Sequence, residues 1–288
     1  MPTPLVNADP AQAASLPATS VLDTIGHRPY ALPTGQWRMT QRWNYLLFAH
    51  WPIPVEQMQP LVPAGLEVEV YDGAAWVGVV PFWMDRVRTR SVGENAHSVP
   101  SAGSFPELNL RTYVRSRATG LQGVYFFSLD AASLLAVIGA RTLFHLPYYW
   151  AAMQRSTTYG NPDSFHYRAE STIRYESRRL LTMKDVRFAA SYRGLGIVAD
   201  ASPSLPDSLE YFLTERYCLF TGRGGKISVG HIHHLPWPLE PAEAEIRVNE
   251  LPAAHGIALP DRPPVLHFAR ELEVYIWSLE GEKPPGAV

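Results

Sequence analysis

Lysine and cysteine are scarce in this 288-residue chain: Lys184, Lys226 and Lys283 are its lysines, and Cys218 is its single cysteine. One cysteine excludes an intramolecular disulfide and points to a reducing, cytoplasmic setting. In Glu-Arg-Tyr-Cys-Leu-Phe, Cys218 reads as a small packing residue rather than a reactive thiol. So few lysines leave three candidates for any Schiff-base chemistry. Charge of one sign is also missing. The 25 basic and 27 acidic residues give a formal charge of -2, so no net field draws the chain to nucleic acid or an anionic membrane. The longest apolar run, Leu134 to Ala140, falls far short of the roughly 20 residues of a membrane-spanning helix. Residues 1–36 lack a basic n-region and a sustained apolar stretch, so they read as a mobile leader and not as a signal peptide. No phosphate-binding loop, dinucleotide fingerprint, zinc-protease helix or nucleophile elbow occurs. A small molecule is the expected partner, with no cofactor and no metal.

What is present is β structure. Short β-branched and aromatic segments punctuated by Gly, Pro and Asp run from Leu66 to Tyr71, Ala75 to Trp83, Leu108 to Val114, Gly123 to Ser128, Ser171 to Tyr175, Val186 to Tyr192, Lys226 to His231 and Leu272 to Ser278. They predict an α+β, mainly antiparallel fold, a curved sheet or barrel with a few short helices. Helices are expected over Val55 to Leu61, Ala131 to Phe144 and Ser208 to Leu219, the last capped by Asp207 or Ser208. With 46% hydrophobic residues and no linker after residue 37, one domain over 37–281 and a tail at 282–288 are expected.

The segment Phe105-Pro-Glu-Leu-Asn-Leu-Arg-Thr-Tyr-Val-Arg115 carries the chemistry. On a strand, Glu107, Asn109, Arg111, Tyr113 and Arg115 share one face, and Leu108, Leu110, Thr112 and Val114 the other. Same-face neighbours stand roughly 6.5 to 7 Å apart. A carboxyl for proton transfer, an amide and a guanidinium for anion recognition can therefore touch successive parts of one small ligand. The competing reading is a half-exposed strand with its polar face in water. His231-Ile-His233 puts two imidazoles on one strand face, but no third metal ligand is encoded nearby.

Several stretches resemble the YqjF-like family of the acetoacetate decarboxylase-like superfamily. They are Glu-x-Asn-x-Arg-Thr-Tyr-Val, Gly123-Val-Tyr-Phe-Phe-Ser-Leu-Asp130, Leu146-Pro-Tyr-Tyr-Trp-Ala151, Met39-Thr-Gln-Arg-Trp43, Leu47-Phe-Ala-His-Trp-Pro52, Val62-Pro-Ala-Gly-Leu66 and His234-Leu-Pro-Trp-Pro-Leu239. They span most of residues 37 to 280 in order. The resemblance implies a curved antiparallel sheet closing around a mostly apolar cavity. In the decarboxylase a Gly-Phe-Pro-Lys-Lys stretch supplies adjacent lysines, one of which forms an imine with the substrate ketone. Here Tyr148 and Tyr149 stand where those lysines would be, and neither can form an imine. Glu107 matches the superfamily's strand-borne acid.

The expected function is a non-covalent acid–base enzyme, a lyase, hydratase or isomerase acting on a small oxo- or hydroxy-acid. Arg111 holds the anionic group, Glu107 transfers a proton, and Tyr148 or Tyr149 orients the reacting oxygen. Asn109, Tyr113, His50, Trp43, Trp51, Phe126 and His234 complete the expected ligand contacts. The alternatives are a non-catalytic binding protein using the same cavity, and a structural subunit whose sheet edges form a homo-oligomer.

Overall fold

A computed structural model describes residues 18–90, 96–98, 103–134, 137, 146–159, 171–196, 205–223 and 226–282. Fourteen strands account for most of it: β1 (Met39–Ile53), β2 (Leu66–Val68), β3 (Ala75–Arg90), β4 (Ala96–Ser98), β5 (Ser104–Ser116), β6 (Gln122–Ala131), β7 (Tyr148–Thr158), β8 (Thr172–Arg179), β9 (Arg187–Gly194), β10 (Cys218–Arg223), β11 (Lys226–His233), β12 (Leu239–Asn249), β13 (Val265–Ile276) and β14 (Glu280–Gly281). Pairing is antiparallel except where β6 meets β7 and β10. The sheet closes on itself twice. A larger circuit runs β1-β3-β5-β6-β7-β8-β9-β12-β13, and a smaller one leaves β6 through β10 and β11 to reach β13. Both share the wall β13-β1-β3-β5-β6. No described helix is long and apolar enough to cross a membrane.

That shared wall explains the character of its strands. Along β1, Leu46 and Phe48 join one core cluster while Leu47 and Ala49 join the other. A strand buried on both faces reads as an unbroken apolar run and not as an alternation. This is why Tyr-Leu-Leu-Phe-Ala-His-Trp in β1 escapes a period-two reading. Bulges bend the wall where it must curve. Tyr45 and Arg86, both at positive φ (53° and 49°), coincide with register shifts between β1 and β3. A third shift, between β5 and β6, lies at Leu110/Arg111 and lets Phe126 and Leu129 face the same core, with Phe127 turned to the other.

The helix expected at Ser208 is shorter than its sequence suggests. It spans Leu209–Thr214, with Ser208 Oγ accepting from the Tyr211 N–H at 3.1 Å. Glu215 then leaves helical geometry and Cys218 begins β10. The helix at Val55–Met58 continues as a 3-10 turn to Leu61, as its Pro54 and Pro60 suggest. The helix expected over Ala131 to Phe144 lies largely outside the described residues, and Ala131 itself ends β6.

Residues 18–36, expected as part of a mobile leader, pack on the domain. Val21, in the helix Ala18–Asp23, is buried against Tyr275 and Trp277. Arg28 donates to the Ile232 carbonyl at 2.8 Å, and the Tyr30 hydroxyl donates to the Gln122 carbonyl at 2.5 Å. Apolar residues spaced along an otherwise polar segment supply this anchorage, and composition alone hides it.

Candidate functional site

Strand β5 lies in the middle of the wall, paired to β3 on one side and β6 on the other. From Glu107 to Val114 every residue is buried. The alternation read from the sequence therefore divides two interiors and not a core from water. Leu108, Leu110 and Val114 enter one cluster. Tyr113 enters the other, and alternation puts Glu107, Asn109 and Arg111 on its face. Arg115, at the strand's end, is half exposed and pairs with Glu69 at 3.2 Å.

Glu107 is 3% exposed and accepts a hydrogen bond from the Tyr148 hydroxyl at 2.8 Å. Burial pushes its carboxyl up to about 8, although hydrogen bonds from Tyr148 and Asn109 pull the other way. Near neutrality it is mostly a neutral acid able to give a proton and take it back. The same burial, with Glu107 beside it, holds the Tyr148 phenol well above its usual range.

Arg111 occupies the next part of the row. Its Nη2 donates to the Leu213 carbonyl at 3.1 Å and to the Tyr113 hydroxyl at 3.3 Å, while its Nε has no hydrogen-bond partner. The guanidinium lies over the Phe48 ring, 5.3 Å from its centroid. Among the described residues the other strongly buried arginines have carboxylates: Arg179 pairs with Asp130 at 2.9 Å, and Arg216 with Glu69. Among the described residues Arg111 forms no ion pair. An arginine cannot shed its proton, so a buried positive charge stands here without a counter-charge among the described residues.

His50 approaches from β1. Its Nε2 is 2.6 Å from the Tyr113 hydroxyl, and its ring stacks on Phe48 with centroids 6.0 Å apart. Burial, then the charge of Arg111, holds its pKa well below the usual histidine value. Gly78 on β3 makes room for it, because a Cβ there would come within 2.8 Å of His50 Nε2. Aromatic rings pack beside it: Trp237 meets the Phe48 ring edge-on at 4.9 Å and stacks with Trp43 at 6.0 Å, and Trp43 leans on Phe82 at 5.6 Å. Phe126 belongs to the same cluster.

The wall separates the remaining expected residues. Tyr148 and Tyr149 are adjacent on β7 and point opposite ways: Tyr149 stacks on the Arg179 guanidinium at 4.0 Å, away from Glu107. Trp51 lies in the other core cluster. His234 stacks on Tyr217, bonds to the Leu235 and Arg216 carbonyls, and meets Trp237 with centroids 5.4 Å apart. His231 and His233 are engaged with Cys218 and with the Val21 carbonyl, and no metal-holding group of His, Cys, Asp or Glu occurs among the described residues. Lys184 and Lys226 are exposed, and Lys283 lies outside the described residues.

Two contributors escape the sequence reading. His267, on β13, sits opposite Phe48, and Trp237 packs edge-on against Phe48. The first left no signal in the sequence, because its place is set by the register of β13 against β1. The second lies in the His234-Leu-Pro-Trp-Pro-Leu239 motif.

Residues 40–273 match the DUF2071 family, described as an uncharacterized conserved protein. The chain belongs to this family. Within reach of it by sequence is the uncharacterized protein YqjF of Bacillus subtilis (strain 168), 45% identical over 249 residues that cover 86% of this chain and 94% of YqjF. By structure, the DUF2071 chain is similar to an acetoacetate decarboxylase-like enzyme from Sphingomonas wittichii RW1, with a TM-score of 0.54, 14% identity and coverage of 90% and 100% of the two chains. It is also similar to the enduracididine biosynthesis enzyme MppR complexed with pyruvate, with a TM-score of 0.53, 11% identity and coverage of 89% and 97%. Acetoacetate decarboxylase from Legionella pneumophila aligns at 0.50, with 12% identity and coverage of 98% and 100%. The fold of the DUF2071 chain is therefore of the acetoacetate decarboxylase-like type.

Proposed function

We propose that this DUF2071 chain is a non-covalent acid–base enzyme, a lyase, hydratase or isomerase, acting on a small oxo- or hydroxy-acid. The observation that carries the reading is Arg111, a buried guanidinium without a carboxylate among the described residues. Such a charge is costly unless an anion pairs with it, and a substrate carboxylate supplies one. Glu107 lies two alternations along the same strand and transfers the proton. Tyr148 holds Glu107 and the reacting oxygen. The pyruvate complex of the similarly folded MppR supports a small carboxylate as ligand. Imine chemistry is disfavoured, since Tyr148 sits beside the acid and both Lys184 and Lys226 are exposed. A cytoplasmic location is part of the proposal, on the ground that Cys218 is a free buried thiol.

A second reading has an observation of its own. His50, Tyr113 and Arg111 already bond to one another and to a backbone carbonyl, which suits a rigid binding protein that holds a metabolite without converting it. Turnover of a panel of oxo- and hydroxy-acids separates the two. The enzyme reading expects turnover that falls by roughly 100-fold or more in Glu107→Gln, as for loss of a general acid or base, while binding persists. Binding without turnover in the wild type favours the second reading. Failure of every acid to bind overturns both.

A further inference from the structure

The hydrogen-bond accounting around Tyr113 fixes where His50 carries its proton. Two short contacts converge on the Tyr113 hydroxyl: 2.7 Å to the Leu213 carbonyl and 2.6 Å to His50 Nε2. Each needs a hydrogen between its heavy atoms. The carbonyl has none to give and the phenol has one, so the phenol donates to Leu213 and His50 donates from Nε2. Arg111 Nη2 is a further donor to both oxygens and supplies no acceptor. The buried ring, beside a guanidinium, is neutral, and its Nδ1 is therefore a bare lone pair with no partner. Asn109 repeats the pattern. Its amide N–H serves Glu107, leaving Oδ1 buried and unpartnered. On the same side, Arg111 Nε and Trp237 Nε1 are donors without acceptors.

This inner surface thus presents both unmet donors and unmet acceptors. A carboxylate or ketone oxygen satisfies the donors alone and sets its lone pairs against those of His50 and Asn109. We infer that the ligand carries, one or two carbons from its carboxylate, a hydroxyl that donates to His50 Nδ1, so the site is built for a hydroxy-acid and not for an oxo-acid. The inference rests on the proposal that Arg111 holds a carboxylate. It assigns His50 as a specificity-determining residue and the Tyr113–Leu213 contact as the device that sets its tautomer.

Isothermal titration of the full chain with lactate, 3-hydroxybutyrate, propionate, butyrate, pyruvate and acetoacetate tests it. Each hydroxy-acid is expected to bind roughly 10- to 100-fold more tightly than its deoxy and oxo counterparts, the usual cost of leaving a buried polar group unpaired. His50→Phe is expected to erase that preference and keep carboxylate binding. Long-range proton–nitrogen correlation on the wild type gives a readout that needs no variant: His50 protonated at Nε2, with the Nδ1 resonance moved by lactate and not by propionate. Carboxylates that bind through Arg111 with no hydroxyl preference, or a His50 protonated at Nδ1, overturn this inference alone. If none of the six acids binds, the carboxylate reading beneath it falls as well.

Discussion

Replacing Arg111 with Met is expected to make the ligand-free protein more stable while removing its ability to hold a carboxylate. Methionine nearly matches the arginine stem in length, and the Leu213 carbonyl keeps its hydrogen bond from Tyr113 at 2.7 Å. What disappears is a desolvated charge with no counter-ion. Exchanging buried charges for apolar side chains of similar volume is often stabilising by about 1–4 kcal/mol, which for a chain of this size raises the melting temperature by roughly 2–4 °C per kcal/mol. Carboxylate affinity is expected to fall by roughly two orders of magnitude or more, as for truncating one side of a buried charge pair. Differential scanning calorimetry and titration with lactate check the two halves separately. Arg179→Met is the contrasting case. Arg179 and Asp130 are 4% and 1% exposed and face each other at 2.9 Å, so removing the arginine strands a buried carboxyl. That variant is expected to lose stability, by at most about 3–5 kcal/mol. The loss is blunted because Asp130, already pushed up to about 6 by burial, can take a proton. Opposite signs for two buried arginines separate a charge kept for a ligand from one kept for the fold.

Glu107→Gln is expected to change the pH dependence of stability more than stability itself. In the folded chain the Glu107 carboxyl is raised to about 8 from an ordinary value of 4.5. The folded state therefore holds this proton more tightly than the unfolded state does. The associated stability is fully present below the ordinary value and is lost as pH rises through about 8. Glutamine keeps the shape and can still accept from Tyr148 but does not titrate. Wild type and variant are expected to melt within a few degrees of each other near pH 5. Near pH 9 the variant is expected to be the more stable by up to about 5 kcal/mol, since the carboxyl is raised from 4.5 to about 8 and each tenfold in proton affinity is about 1.4 kcal/mol. Asp130 titrates in both proteins, and its charge adds the smallest part of the rise in Glu107. Equal pH profiles would mean that Glu107 is solvated and not enclosed.

The inner row was legible because β5 keeps strict alternation from Glu107 to Tyr113, and period two assigns faces without knowledge of neighbours. Which medium lay on each side was not legible. That depends on β1 and β3 crossing the same wall, and their residues are buried on both faces and carry no polarity signal. Tyr148 and Tyr149 show the same limit. Adjacent residues must diverge on a strand, but only the contact with Glu107 says which one turns inward. The acetoacetate decarboxylase-like fold was legible through motifs distributed along the chain. The packing of Val21 and Tyr30 was not, since short anchors in a polar segment leave no periodicity. His267 was missed for a simpler reason. Its position opposite Phe48 is a matter of register between strands far apart in sequence.

A crystal structure of the protein soaked with lactate tests the central claim most directly. The expected result is a carboxylate within hydrogen-bond reach of Arg111 Nε, on the Glu107 side of β5. Lactate bound elsewhere, or an interior filled by side chains that leave no room beside Arg111, would contradict it.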